Sequence, residues 1–459
     1  MECQVIKRTG NPFVMRWWGM DYVFLPPKYL YDLKRAHPRD LNFFENISTH
    51  GPLPNTRLML SRVRLSVYIR LMGGLLTFFA AKIIPLLDAE SGYALSIEIG
   101  AAKNWKPFVA ADLCGKIMHR TTSRILIGPE LCRSDPYLKA SETFMNSIFI
   151  HGFLMSMLPL RDVLHNTYDL IFTRFHRRHL YKAMEIILPV VEARFGEFQA
   201  RASKNEAELP EYLDAIEWSL QFTRGNKKEH DPYWITLALL HNIWAGSAAP
   251  GGLVTQMLFQ VLMEPQHLEP LRLEASRALQ AGGYTDKALG NMPLMDSLIR
   301  EINRVYPTGA ITCARTVTNT EGFLFHDGLH LPQGTKIAVP ALAIQTDAEH
   351  FNDPLTVDAF RFSRLREAAN YNHGEGENNW SATRYSETNL AFGFGKHACP
   401  GRFYAVYKAK LIFSKLIQEY DWRWESPEVR PPSLSINGQF APNRSQQIFL
   451  RQRGITDDI

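Results

Sequence analysis

Apolar positions in this chain recur mostly three or four residues apart, over stretches too long for strands. That spacing predicts helices over Lys28–Ala36, Arg70–Ala94, Phe108–Ile127, Tyr137–Met157, Phe172–Phe195, Leu209–Thr223, Tyr233–Leu262, Met292–Tyr306 and Phe403–Leu416, the last continuing to Tyr420. Pro85 is expected to break the second of these. Strand signals are few and short. Phe13–Leu25 sets aromatic and β-branched residues around Gly19-Met20-Asp21 and reads as a hairpin that Pro26 and Pro27 end. Arg315–Ile337, with turn signals at Asp327-Gly328 and Gln333-Gly334, reads as a small antiparallel sheet. Pro431–Ala441 reads as a second hairpin, turning at Asn437-Gly438. Leu365–Asn389 is polar and irregular. The fold class is therefore mainly α with small β-sheets.

One predicted helix is unusual. Tyr233–Leu262 is apolar at both ends, which argues against a surface position, but residues 244–252 read WAGSAAPGG. Pro250 removes a backbone hydrogen bond, and Gly251 and Gly252 weaken the helix further. A kink or local unwinding is expected there.

Composition narrows the picture modestly. The 459 residues are 46% hydrophobic and 21% charged, with no linker-like stretch and no fixed-period repeat, so one globular unit over 1–459 is expected. A formal charge of +5 without zinc-finger spacing or a concentrated basic run points away from nucleic acid. Arg174, Arg177, Arg178 and Lys182 form a basic start to one helix, which reads as a solvated face or a contact for an acidic partner or membrane. Cys3, Cys114, Cys132, Cys313 and Cys399 are few, odd in number and scattered, which argues for a reducing compartment. The longest apolar run, Leu71–Leu87, is interrupted by Lys82 and Pro85 and falls short of a membrane span.

The chemistry concentrates in Phe392–Gly401, FGFGKHACPG. Gly393 and Gly395 permit tight turns and the close approach of a flat ligand. Pro400 suits the first turn of the helix that follows. Cys399 thus precedes a helix N-terminus, where the dipole and free N–H groups favour thiolate. A lone thiolate so presented suits one axial bond to haem iron. Upstream, Glu301 and Arg304 lie three apart on one helix face and can pair.

The loop Phe392-Gly393-x-Gly395-x-His397-x-Cys399-Pro400-Gly401 resembles the haem-ligand loop of the cytochrome P450 family, with His397 where that family usually has arginine. The resemblance runs from about Gly10 to the C-terminus, and the opening hairpin looks fungal. It implies a cytochrome P450-like fold in which haem b (iron protoporphyrin IX) lies between the Cys399 loop and the Tyr233–Leu262 helix. Cys399 would be the axial iron ligand. Phe392, Gly393, Gly395 and Gly401 would shape the haem loop, and Arg315 and His397 would hold the propionates. Glu301, Arg304 and Arg361 resemble the family's buried structural set. Ala245 and Gly246 match the small residues beside dioxygen, followed by Ser247. The family's acid and threonine are replaced by Ala248 and Ala249, which puts ordinary proton delivery in question, although a kink at Pro250 would free the carbonyl of Ala245 or Gly246 to hold a water. Phe149, Ile150, Phe153, Leu154, Thr308 and Ile311 are candidates for the substrate pocket, with the stretch from Arg57 to Arg70 passing over it and the tip of the Pro431–Ala441 hairpin beside it.

The activity so implied is monooxygenation of an apolar small molecule by a monomer, using dioxygen and electrons from an NADPH-cytochrome P450 reductase. Fungal members often oxidise terpenoids, alkaloids or polyketides of secondary metabolism. Alanine at 248 and 249 motivates a second reading: desaturation, oxidative coupling, ring formation or rearrangement. A non-catalytic haem or lipophile-binding protein is the reading from another class. Eukaryotic members usually begin with a membrane helix and a proline-rich hinge, and the chain starts at what looks like the end of that hinge. A native form with an anchor would sit on the cytosolic face of the endoplasmic reticulum.

Overall fold

The computed structural model describes residues 10–50, 76, 80–157, 161–203, 212–373, 379–424 and 429–454; for 47–50, 149, 151–157, 161–176 and 370–373 it describes the backbone alone. The basic stretch from Arg57 to Arg70 lies outside these residues. The chain opens with β1 (Phe13–Trp17) and β2 (Met20–Phe24), paired antiparallel. Their turn is Trp18-Gly19, at φ 53° and 77°, rather than Gly19-Met20-Asp21. Two positive φ values in a two-residue turn match the twist of the flanking strands. After α1 (Leu30–Arg35), β3 (Leu41–Asn42) and α2 (Phe43–His50) come the long helices α3 (Ala80–Glu98), α4 (Ala110–Leu126), α5 (Asp135–Met157) and α6 (Arg161–Ser203). Pro85 lies inside α3 and does not break it. Phe108 and Val109, expected to begin a helix, instead end β4 (Lys106–Val109), which pairs with the C-terminal strand β12 (Gln447–Gln452). α7 (Ala215–Thr223) starts later than the apolar spacing suggests, because Asp214 caps it by accepting the Glu217 N–H at 3.0 Å.

α8 (Pro232–Met263) is the helix with the unusual centre. It stays helical through Pro250 and both glycines, contrary to the expected unwinding. α9 (Leu268–Gln280), α10 (Asp286–Gly290) and α11 (Pro293–Val305) follow. β5 (Thr312–Val317) and β8 (Lys336–Val339) pair antiparallel and complete a five-stranded sheet in the order β1-β2-β8-β5-β3. β6 (Phe323–Leu324) and β7 (His330–Leu331) form a separate two-stranded ladder. After α12 (Ala341–Gln345), the supposedly irregular segment begins with a helix, α13 (Arg361–His373). Its start is pinned from outside: Ser297 Oγ accepts the Phe362 N–H at 3.0 Å. α14 (Arg402–Glu419), β9 (Tyr420–Arg423), the hairpin β10 (Leu434–Ile436) and β11 (Gln439–Ala441), and β12 close the chain. Asn437 and Gly438 turn that hairpin at φ 48° and 72°, as expected.

The main core joins α3 to α11 with α14, through residues such as Leu87, Ile117, Phe144, Trp218, Leu258 and Phe413. A second cluster lies under the five-stranded sheet and takes in Phe394 of the cysteine loop. α8 is buried on nearly every side, as its all-round apolar ends require. Trp244, Ala245, Ala248, Ala249 and Gly252 are its half-buried stripe. Among the described residues, no helix is long and apolar enough to cross a membrane.

Buried titratable groups in this core set a pH dependence. Burial holds His119 at a pKa of about 3 and His241 at about 4. Both stay neutral when folded and take up protons when unfolded below their usual value, so they lose stability as pH falls from about 6.5. Glu274, which accepts the N–H groups of Leu294 and Met295 at 2.8 Å each, is pushed up by burial to about 7. It keeps its proton when folded and sheds it when unfolded, so between about 4.5 and 7 it opposes the histidines. Glu274→Gln should therefore steepen the rise of unfolding free energy near pH 5.5, by about 1.4 kcal/mol per pH unit. Urea titrations at several pH values read this slope, and a slope unchanged by the substitution would show that Glu274 is ionised in the folded protein.

Candidate active site

The Cys399 loop is fixed by its own backbone. Cys399 N–H donates to Phe392 O at 2.6 Å, Gly393 N–H to Leu390 O at 2.8 Å and Ala398 N–H to Gly395 O at 3.1 Å. Gly393 and Gly395 have φ 73° and 70°, a region that favours glycine. A Cβ on Gly395 would lie 2.7 Å from Lys34 Cα, so the close approach at this glycine is to α1. α14 begins at Arg402 with Gly401 as its N-cap, which puts Pro400 ahead of the helix rather than in its first turn. Arg402 ties the loop down by donating to Cys399 O at 2.9 Å and Thr383 O at 3.1 Å. The Cys399 side chain is exposed, yet burial of its surroundings raises the thiol, and the Gly401 N–H and the Arg402 charge only partly oppose this. The helix start alone therefore does not ionise Cys399; coordination to a metal does so outright.

Beside this loop Glu301, Arg304 and Arg361 come together as the resemblance implies. Arg304 Nε and Nη2 donate to the two Glu301 oxygens at 2.7 and 2.9 Å, and Arg361 Nε donates to Oε1 at 3.1 Å. The Asp358 N–H donates to Glu301 Oε2 at 2.9 Å. Arg304 also donates to the carbonyls of Gln345 and Thr356 at 3.1 and 2.9 Å. Glu301 is fully buried and Arg304 nearly so. A planar fork with this many fixed acceptors positions neighbouring segments and is not available for chemistry.

Arg315 and His397 meet although they lie in different elements. A register shift between Thr312 and Arg315, with Cys313 at φ 55°, re-aims strand β5. Arg315 is buried, donates to Ala314 O at 2.7 Å and is lowered by burial to about 10. His397 Nε2 is buried and has no partner among the described residues. Burial, Arg315 and Lys396 together lower it to about 4. Phe43 and Phe44 of α2 flank the imidazole at 6.2 and 6.1 Å, and Phe43 also lies 5.3 Å from the Arg315 guanidinium. An orphaned ring nitrogen beside a buried guanidinium suits a carboxylate, which would favour the charged form of both. The residues present therefore fit a haem propionate. Phe43 and Phe44 carried no sequence signal for this place.

On α8, Gly246 faces α4. A Cβ there would lie 3.0 Å from Thr122 Cγ2, so its small size serves helix packing. Gly251 likewise faces Gly115 of α4, with Gly115 Cα 3.4 Å from the position of a Cβ. The Gly246 carbonyl accepts from Lys408 Nζ at 2.8 Å and lies 3.1 Å from Thr122 Oγ1, so it is not free to hold a water as expected. Ser247 is buried, and its Oγ has no partner among the described residues. Ala248 and Ala249 offer no proton-bearing group.

Two candidate pocket segments are joined directly. The Ala310 N–H donates to Gly438 O at 2.7 Å and the Phe440 N–H to Thr308 O at 2.8 Å. Trp17 Nε1 holds the same hairpin tip through Asn437 O at 2.8 Å. Thr308 is exposed and Ile311 half-buried. Ile150 is 52% exposed on α5, while the side chains of Phe149, Phe153 and Leu154 lie outside the described residues.

Comparison with known proteins bears on family and fold. The family model for Cytochrome P450 matches residues 70–448. "Cytochrome P450 monooxygenase sirB" of Leptosphaeria maculans is 34% identical, over 98% of this chain and 84% of that protein. "Ent-kaurene oxidase P450-4" of Gibberella fujikuroi is 25% identical, over 98% of this chain and 87% of its own. "Cytochrome P450 monooxygenase paxP" of Penicillium paxilli is 27% identical, over 94% and 81%. Among solved structures, the cytochrome P450DA heme domain superposes with a TM-score of 0.70 at 16% identity, covering 99% of this chain and 92% of its own. Retinoic acid bound cyanobacterial CYP120A1 gives 0.66 at 17%, over 98% and 93%.

Proposed function

The chain belongs to the cytochrome P450 family of oxidoreductases, and on that premise we propose that it is a haem-thiolate monooxygenase acting on an apolar product of fungal secondary metabolism: a terpenoid, alkaloid or polyketide. The observation that carries this reading is the Cys399 loop held beside the Arg315–His397 pair. Cys399 would ligate the iron of haem b, and Arg315 and His397 would take a haem carboxylate. When bound, haem supplies the oxidation of substrate by dioxygen, with two electrons from an NADPH-dependent flavoprotein reductase. Glu301, Arg304 and Arg361 keep the thiolate side rigid. Ala245, Ala248 and Ala249 offer the substrate a small, apolar face of α8.

Proton delivery is where this chain departs from the pattern that the family resemblance implies. Residues 248 and 249 hold no proton, and the Gly246 carbonyl is already engaged. A hydroxyl or amine on the substrate itself is then the group best placed to relay a proton. The native substrate should give close to one product per NADPH. Analogues lacking its polar group should release peroxide instead, with product formation slowed on the order of 10²-fold. Tight coupling with every analogue would overturn the substrate-borne relay. Isotopically labelled dioxygen tests the reaction type. Label in the product supports oxygen insertion. NADPH-dependent product that never carries label would favour the second reading, desaturation or oxidative coupling, which Ala248 and Ala249 motivate.

A further inference from the structure

We propose that Lys408 is a positioning residue that replaces the helix hydrogen bond Pro250 abolishes in α8. In an α-helix the N–H of residue 250 would donate to the carbonyl of residue 246. Pro250 has no N–H, so the Gly246 carbonyl loses its intrahelical partner. That carbonyl is buried, and buried carbonyls require partners. Two donors reach it from other helices: Lys408 Nζ of α14 at 2.8 Å and Thr122 Oγ1 of α4 at 3.1 Å.

Lys408 is the donor that matters. Thr122 has one hydroxyl proton, and Met118 O, at 2.7 Å, is the nearer acceptor for it. Burial without a countercharge lowers Lys408 well below the usual lysine value, and even the neutral amine keeps two N–H donors. One meets Gly246 O, a second meets Thr122 Oγ1 at 2.6 Å, and the amine lies 4.3 Å from the centroid of the Tyr404 ring. Lys408 is fully buried, and no carboxylate among the described residues pairs with it. Lys410, two residues on, is also buried but meets Asp296 at 2.9 Å, as buried lysines usually must. Lys408 thus spends a buried amine on neutral acceptors, and one of them is the carbonyl a proline has orphaned. The glycine at 246 belongs to the same device, because a Cβ there would lie 3.0 Å from Thr122 Cγ2 and push α4 away. The result is an unbroken α8 that keeps Ala245, Ala248 and Ala249 in one stripe.

The positioning claim concerns the polypeptide alone; only its effect on turnover rests on the proposed monooxygenase activity. The test is a cycle of Lys408→Met, Pro250→Ala and the double variant, with Pro189→Ala in α6 as a control proline. Amide hydrogen exchange of residues 244–254 is the first readout. Lys408→Met should speed exchange there at least tenfold. Pro250→Ala restores an N–H to Gly246, so the double variant should return to within about twofold of Pro250→Ala alone, and Pro189→Ala should give no rescue. If Lys408→Met does not accumulate as folded protein, the double variant must. Additive effects, rescue by Pro189→Ala, or a double variant that fails to fold would each overturn the proposal. In the haem-loaded enzyme, peroxide released per NADPH should rise with Lys408→Met and fall back in the double variant. Exchange rescue without that peroxide pattern would leave the tether standing and count against the monooxygenase reading.

Discussion

Cys399→Ala should abolish the carbon monoxide difference band typical of thiolate-ligated haem in the reduced protein, while Cys114→Ala, Cys132→Ala and Cys313→Ala should each retain it. The contrast follows from where the sulfurs lie. Cys399 stands on a loop whose backbone is closed by the Phe392 carbonyl at 2.6 Å, and its side chain is exposed. The other three described cysteines are buried. Burial pushes Cys114 up to about 12 and Cys132 to about 11, and it raises Cys313 as well. Burial raises the Cys399 thiol too, so the contrast rests on access: of the four described cysteines, its side chain alone is open to a metal. Alanine at 399 keeps the loop's backbone–backbone hydrogen bonds and the Arg402 bond to the residue-399 carbonyl, so the variant should fold. Haem can still be drawn to the Arg315–His397 pair, and residual pigment without the thiolate band is therefore expected. A full thiolate band in Cys399→Ala would remove the central assignment.

Glu301→Ala and Arg304→Ala should each destabilise the protein by ~3–5 kcal/mol, because removing one member strands the other in a buried site. Against a typical total of about 5–15 kcal/mol, that is a large share. Glu301→Ala leaves Arg304 with carbonyl partners but no countercharge and frees the Asp358 N–H as well. Arg304→Ala strands the carboxylate and drops its links to the carbonyls of Gln345 and Thr356. Arg361→Ala should have a smaller effect, since the Arg361 side chain retains 14% exposure and water can screen what is lost. Arg304→Lys should not rescue, because a single ammonium cannot reproduce the fork. Urea unfolding and haem content after purification measure these effects together. Wild-type melting with full haem in Glu301→Ala would show that the set is not structural.

What the sequence alone determined is what short-range spacing encodes. The Cys399 loop was legible because its glycines, its cysteine and the helix after it lie within about twenty residues. The Glu301–Arg304 pair was legible because a helix places residues three apart on one face. The hairpin at Asn437-Gly438 was legible because those residues accept positive φ. Spacing could not say which distant group would complete a local defect. Pro250 read as a kink or local unwinding because a proline in isolation removes a bond. Tertiary packing brings Lys408, 162 residues away, to the orphaned carbonyl, and the helix continues. The same holds for Phe43 and Phe44 beside His397, for Ser297 at the start of α13, and for Gly251, whose missing side chain admits Gly115 of α4. A periodic pattern fixes which face of an element is buried. Only the three-dimensional packing decides what that face meets, because a contact energy depends on the partner's atoms and not on where they lie along the chain.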